Sequence, residues 1–145
     1  LAPQQDRARA WVEAVLGRLH GRLVVLDYCS TTAAMAARPW NEWLRTYRGH
    51  DRGGHPMDHR GEQDITAEVA VDQLPAPDED IAQADWLRRW GIEALVEEGR
   101  RLWQERAHLG DLAAIRARSR INEAEALTDP TGMGGFRVLE WSVVE

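Results

Sequence analysis

Four consecutive apolar residues, Leu23-Val24-Val25-Leu26, follow Gly21-Arg22 and give way to Asp27-Tyr28-Cys29-Ser30. A short, unalternating Val/Leu run bounded by polar residues suits a strand buried on both faces, as in a parallel sheet packed by helices. Ahead of it, Trp11, Val12, Val15, Leu16 and Leu19 recur at helical spacing between Arg7 and His20, and Gly21 stands where a C-cap glycine would end that helix. Helix then buried strand is half of an α/β unit, so an α/β fold is expected. Ligands in open α/β sheets collect beyond the carboxyl ends of the strands, which puts Asp27 and Tyr28 where chemistry is usually placed. Asp27 also has a purely structural role open to it, capping the Ser30-Thr31-Thr32 helix start.

Downstream, the Ala-rich stretch from Thr31 to Arg38 predicts a short helix ending before Pro39, and Trp40 to Tyr47 reads as a strand. From Arg48 to Gln63, five Gly or Pro residues and three His make a long loop, a type of segment that is functional or mobile in compact domains. Asp64 to Val71 alternates like a half-buried strand, and Leu74 to Asp80, with Pro75 and Pro77, reads as a solvated connection. Helices are expected from Ala82 to Trp90, broken at Gly91, from Ile92 to Trp103, and from an Asp111 N-cap to Leu127, the last with an interruption near Ser119. Gly132, Gly134 and Gly135 make a turn into a strand from Phe136 to Val144. No repeat and no domain boundary stands out, so residues 1–145 read as one domain.

Charge narrows the partners. The 18 basic residues, all Arg, against 24 acids leave a net charge of −6. Such an acidic chain is a poor match for nucleic acid through its overall field. No apolar run approaches the length of a membrane span, and the polar start is unlike a signal peptide. With Cys29 as the one cysteine, no internal disulfide can form, which fits a reducing compartment, by default the cytoplasm. The first residue is Leu rather than Met, which suggests a fragment, a processed chain or a chain whose upstream part is missing.

Several constellations could carry chemistry. His50, His55 and His59 with Asp51 and Asp58 have the ligand types of a transition-metal site, but not the spacing of a recognised zinc pattern, and a hydrogen-bonding loop is the expectation, with no metal. Gly132-Met133-Gly134-Gly135 lies between helix and strand, the wrong order for a phosphate-binding glycine loop. Trp11, Trp86 and Trp103 fall on apolar helical stripes and read as core. Trp40 and Trp43, beside Arg45 and Tyr47, read as a surface that receives a ligand or peptide.

Five blocks in order carry a resemblance. Gly21 to Tyr28, Leu44 to His50, Gly61 to Val69, Gln83 with Trp86-Leu87 and Gly91-Ile92, and Met133 to Leu139 are together similar to the MidA-like family of S-adenosylmethionine-dependent methyltransferases. The resemblance spans roughly Gly21 to Val143 and is more specific than any block alone. It implies the C-terminal part of a class I, Rossmann-like methyltransferase sheet with flanking helices, with Leu23–Leu26 as a later strand and Phe136–Val144 as an antiparallel strand near the edge. The family's glycine-rich cofactor loop and ribose-binding acid would precede Leu1. S-adenosylmethionine is thus the cofactor of the full enzyme, and little or no binding is expected from this chain alone. Cys29 departs from the glycine the family usually has after Asp-Tyr.

The family implies methyl transfer to a protein, and its mitochondrial members resemble arginine methyltransferases. Holding a guanidinium and accepting its proton calls for carboxylates and aromatic faces. On that reading Asp27, Tyr28 and His50 are the catalytic candidates, and Trp43, Arg45, Tyr47, Asp64 and Thr66 the substrate-binding ones, converging at strand ends and the adjoining loop. The alternative is a non-enzymatic protein-binding module that has lost the cofactor half. Either way the expected partner is a protein, not nucleic acid or membrane.

Overall fold

The structure is a computed structural model and describes residues 3–143. The chain forms two compact units, one built from the residues up to Leu23, Asp27–Asp78 and the chain from Trp141 on, the other from Val24–Leu26 and Glu79–Glu140.

In the first unit, α1 (Asp6–Leu16) buries Val12 and stops at Gly17. This corrects the expected helix end at Gly21. Gly17 takes up the last turn in helical geometry, whereas Gly21, at φ 128°, opens strand β1 (Gly21–Asp27) in a conformation that side-chain-bearing residues avoid. Strand β2 (Cys29–Ser30) pairs in parallel with β6 (Val69–Ala70), Cys29 opposite Val69 and Ser30 opposite Ala70. Between them come α2 (Thr32–Ala36), α3 (Trp40–Trp43), β3 (Leu44–Arg48), β4 (Asp51–Arg52) and β5 (Asp64–Ala67). Thr31 caps α2 by accepting the Ala34 N–H on its hydroxyl, the residue type that a helix start favours at that position.

The segment expected to be one strand from Trp40 begins as a helical turn: Pro39, extended at φ −54° and ψ 142°, stands as its N-cap, and extended backbone resumes only at Leu44. The strand expected from Asp64 to Val71 is two, separated at Glu68. The Glu68 N–H still donates to the Trp43 carbonyl, in register with the β3–β5 pairs, while its carboxylate takes the Arg38 guanidinium at 2.6 Å and the next N–H, that of Val69, turns to the Tyr28 carbonyl. Met35, Trp43 and Ala70 form the core of this region, with Trp40, Leu44 and Ala67 packed on it.

The second unit holds β7 (Glu79–Ala82), α4 (Gln83–Arg89), α5 (Ile92–Arg106), α6 (Leu112–Thr128) and most of β8 (Arg137–Val143). The connection read from Leu74 therefore ends two residues early, since Glu79–Ala82 pairs antiparallel with β8 from Ala82–Arg137 to Glu79–Glu140. Gly91, at φ 86°, separates α4 from α5, and Asp111 caps α6 at the Ala114 N–H, both as the sequence predicts. Helix α6 runs through Ser119 unbroken, its Ala114, Ala117 and Ala124 letting α5 approach closely at Gly99.

The sheet here has the order β1-β8-β7. Its centre, Val138 and Leu139, is fully buried. Leu23–Leu26 is not the doubly covered strand expected: Leu23, Val24 and Val25 are half-buried and Leu26 is 45% exposed. Strand β1 lies at the edge of this sheet, and an edge strand has a neighbour on one side only. The described fold is thus mixed α/β, made of several small sheets and helices. No helix among the described residues is long and apolar enough to cross a membrane.

Candidate functional site

The β3–β5 ladder gathers four of the expected residues by register alone. Arg45 stands opposite Thr66 and Tyr47 opposite Asp64. Directly opposed residues point to the same side, and positions two apart along a strand share a face, so Arg45, Tyr47, Asp64 and Thr66 occupy one face of the ladder. Tyr28 joins them through Arg45, whose guanidinium carbon lies 5.8 Å from the centre of the Tyr28 ring. The Tyr28 carbonyl accepts the Val69 N–H at 3.0 Å, which ties the turn after β1 to the continuation of β5.

Asp27 ends β1 half-buried. Its Oδ1 accepts the Tyr28 N–H at 2.8 Å, and the Cys29 thiol reaches its carbonyl at 3.5 Å. Burial pushes the Asp27 carboxyl above the ordinary carboxylate range, against the smaller opposing pull of the Tyr28 N–H. Asp27 does not cap α2. That position belongs to Thr31, while the Thr32 N–H is taken by the Asp72 carboxylate at 2.8 Å, a bond that holds Asp72 below the usual carboxylate range.

The remaining expected residues sit elsewhere. His50 is exposed in the turn between β3 and β4. Trp43 is 6% exposed, so it is core rather than an open surface: it closes over Met35 and Ala70, because α3 turns its ring inward just before β3 begins, and only its edge borders a cleft with Trp40, Leu44, His55 and Pro56. Trp40 is half-buried and packs edge-on to His55, ring centres 5.3 Å apart. The three loop histidines do not form a cluster. His55 accepts the Met57 N–H on Nδ1, His59 adopts φ 46°, and no group of three His, Cys, Asp or Glu among the described residues could hold a metal ion.

Sequence reasoning passed over the glutamines. Gln5 acts as a surrogate strand residue beside β6, its Nε2 donating to the Glu68 carbonyl at 2.7 Å and its Oε1 accepting the Ala70 N–H at 2.8 Å. Gln73 in turn accepts the Gln5 N–H and donates to Thr32 Oγ1 and the Pro3 carbonyl. No periodicity marks these partners, more than sixty residues apart for Gln5.

No protein-family model matches the sequence, and no curated protein matches it significantly. Two solved structures from Burkholderia thailandensis are similar to it. One, an uncharacterized ACR of the COG1565 superfamily, is 24% identical with a TM-score of 0.70 and shares the fold over 97% of this chain and 38% of its own. The other is a COG1565 superfamily member and candidate methyl transferase, bound to S-adenosyl-homocysteine. It is 25% identical with a TM-score of 0.67, covering 97% of this chain and 36% of its own. The chain therefore spans less than two fifths of either protein, and its fold is one found within COG1565 superfamily structures.

Proposed function

We propose that this chain is the C-terminal part of a class I, S-adenosylmethionine-dependent methyltransferase of the MidA-like kind, acting on arginine in a protein. The observation that carries the reading is the similarity, over 97% of the chain, to a solved structure that holds S-adenosyl-homocysteine. The five ordered sequence blocks support it independently.

The chain's own glycine-rich turn does not serve as a site for the cofactor. The glycine-rich segment Met133–Gly135 is a 3₁₀ turn whose Gly134 packs on the Thr128 backbone, where an added Cβ would lie 2.5 Å from a carbonyl carbon. That glycine serves close packing and leaves no cradle for a ligand. We assign the cofactor to the part of the enzyme beyond this chain.

This chain's share of the work is to hold the acceptor. Asp27 suits a proton acceptor: a desolvated carboxylate is a stronger base than an exposed one, and it stands at the end of β1 with one oxygen oriented by the Tyr28 N–H. Asp64 and Tyr47, side by side on the ladder face, offer a carboxylate and an aromatic ring to a guanidinium. Arg45 already occupies the Tyr28 ring, so Tyr28 acts by placing Arg45 and the Asp27 turn rather than by stacking on the substrate. Thr66 and Arg45 border the same face, and His50 is a base at its loop end.

The test uses the longer enzyme, labelled S-adenosylmethionine and arginine-bearing protein substrates, comparing native with Asp27→Asn. A fall in turnover of at least about tenfold with unchanged melting and cofactor affinity supports the reading, since loss of a general base costs about 10²–10⁴-fold. Unchanged turnover removes Asp27 from the reaction, and no transfer to arginine in any substrate removes the acceptor class.

A further inference from the structure

The other face of the β3–β5 ladder carries the buried Thr46, and against it lie two adjoining half-open clefts of about 300 and 220 Å³ that share Trp40, Leu44 and His55. Arg52 and Gly53 border the larger, Trp43 and Pro56 the smaller. Gly53 is required there: a Cβ would fall 2.6 Å from Thr46 Oγ1, and its N–H donates to the Thr46 carbonyl at 2.8 Å. Thr46 answers by donating its hydroxyl to the Gly54 carbonyl at 2.8 Å. The walls are therefore pinned from both sides.

Beside the Asn41 amide, which can donate or accept, the pocket presents a set of donors. His55 Nδ1 accepts the Met57 N–H, which places the proton of the neutral ring on Nε2. Arg52 spends one Nη2 bond on the Asn41 carbonyl at 3.1 Å and keeps further N–H groups. Trp43, 6% exposed, has an indole N–H with no acceptor among the described residues. Among the described residues no Asp or Glu lines either cavity, although acids outnumber arginines by 24 to 18 in the chain, and Asp58, whose carboxylate approaches Gly54, borders neither. An aromatic box with donors but no acid complements a ligand that is flat, apolar and anionic at one end.

We propose that this pocket binds a single-ring aromatic carboxylate, its ring against Trp40 and Pro56 and its carboxylate on Arg52 and His55 Nε2–H. The site lies on the ladder face opposite Arg45 and Tyr47, so it stands independently of the methyl-transfer reading. A charge-assisted bond to Arg52 makes the anion the preferred form over a neutral isostere.

The probes are phenylacetate and its uncharged analogue phenylacetamide, titrated into the full 145-residue chain while the indole N–H resonances of Trp40 and Trp43 are followed by NMR. The expected result is a saturable shift of both resonances with phenylacetate, affinity for the amide at least about fivefold lower, and a similar loss in Arg52→Gln at unchanged melting temperature. The proposal is overturned by the absence of a saturable shift at millimolar phenylacetate, by equal affinity for the amide, or by full affinity in Arg52→Gln. If Arg52→Gln does not fold, the comparison of acid with amide on the unchanged chain decides.

Discussion

Asp27 shows how one side chain can be read two ways until its surroundings are known. Its carboxyl is raised by burial, so the folded chain holds that proton to higher pH than the unfolded chain does. The folded state then binds more protons between the ordinary carboxylate value and the raised one. Asp27 therefore contributes stability at low pH that is lost as pH rises through that window. Asp27→Asn keeps the acceptor for the Tyr28 N–H and removes the charge. Denaturant titrations between pH 3 and pH 7 are expected to show a variant as stable as the native chain or slightly more so at pH 7, with a steeper rise in stability from pH 3 to pH 7, because the opposing contribution of the Asp27 carboxyl is gone. A loss of stability at neutral pH would mean that the ionised carboxylate has a partner holding it.

Among the elements, β6 and the turn into β8 make the clearest claims. Because Gln5 satisfies both Glu68 C=O and Ala70 N–H, Gln5→Ala leaves two part-buried backbone groups without partners at the edge of the β2–β6 pair. The expected cost is about 1–3 kcal/mol in urea denaturation, and a change near zero would mean that water replaces the amide without penalty. In the second unit, Gly134→Ala would press a Cβ against backbone atoms of Thr128 and Asp129 at 2.5–2.7 Å, where no side chain can swing away. We expect a loss of about 3 kcal/mol, at or above the usual range for overpacking, read as a lowered melting temperature. Gly110→Ala, with open space at the Cβ but φ 59°, should cost less, about 1 kcal/mol, through the left-handed backbone alone.

At the scale of the whole molecule, the chain covers under two fifths of the similar solved structures, and its own glycine-rich turn is filled by backbone packing. Calorimetry with S-adenosylmethionine is therefore expected to give no micromolar binding to these 145 residues and to give it for the longer enzyme. Micromolar binding by this chain alone would place the cofactor on residues of this chain.

Much was legible in the residues themselves. Local signals decide local structure, and so the Asp111 cap, the break at Gly91, the helix begun by Thr31 and the turn at Met133–Gly135 appear where composition and spacing put them. The period-two pattern around Ile65 likewise marked a strand, and with it the face that brings Asp64 and Thr66 to Tyr47 and Arg45 once the partner strand is known. What the residues could not reveal is which partner each surface meets. Leu23–Leu26 has the composition of a doubly covered strand, yet exposure depends on its place at the sheet edge, which no window of four residues encodes. Trp43 and Trp40 are three positions apart in one turn of helix, and only packing turned the first into core and left the second beside His55. The Gln5 and Gln73 bonds join residues more than forty positions apart, and so were decided by tertiary structure alone: hydrogen bonds reward proximity in space, and sequence spacing carries no signal of it.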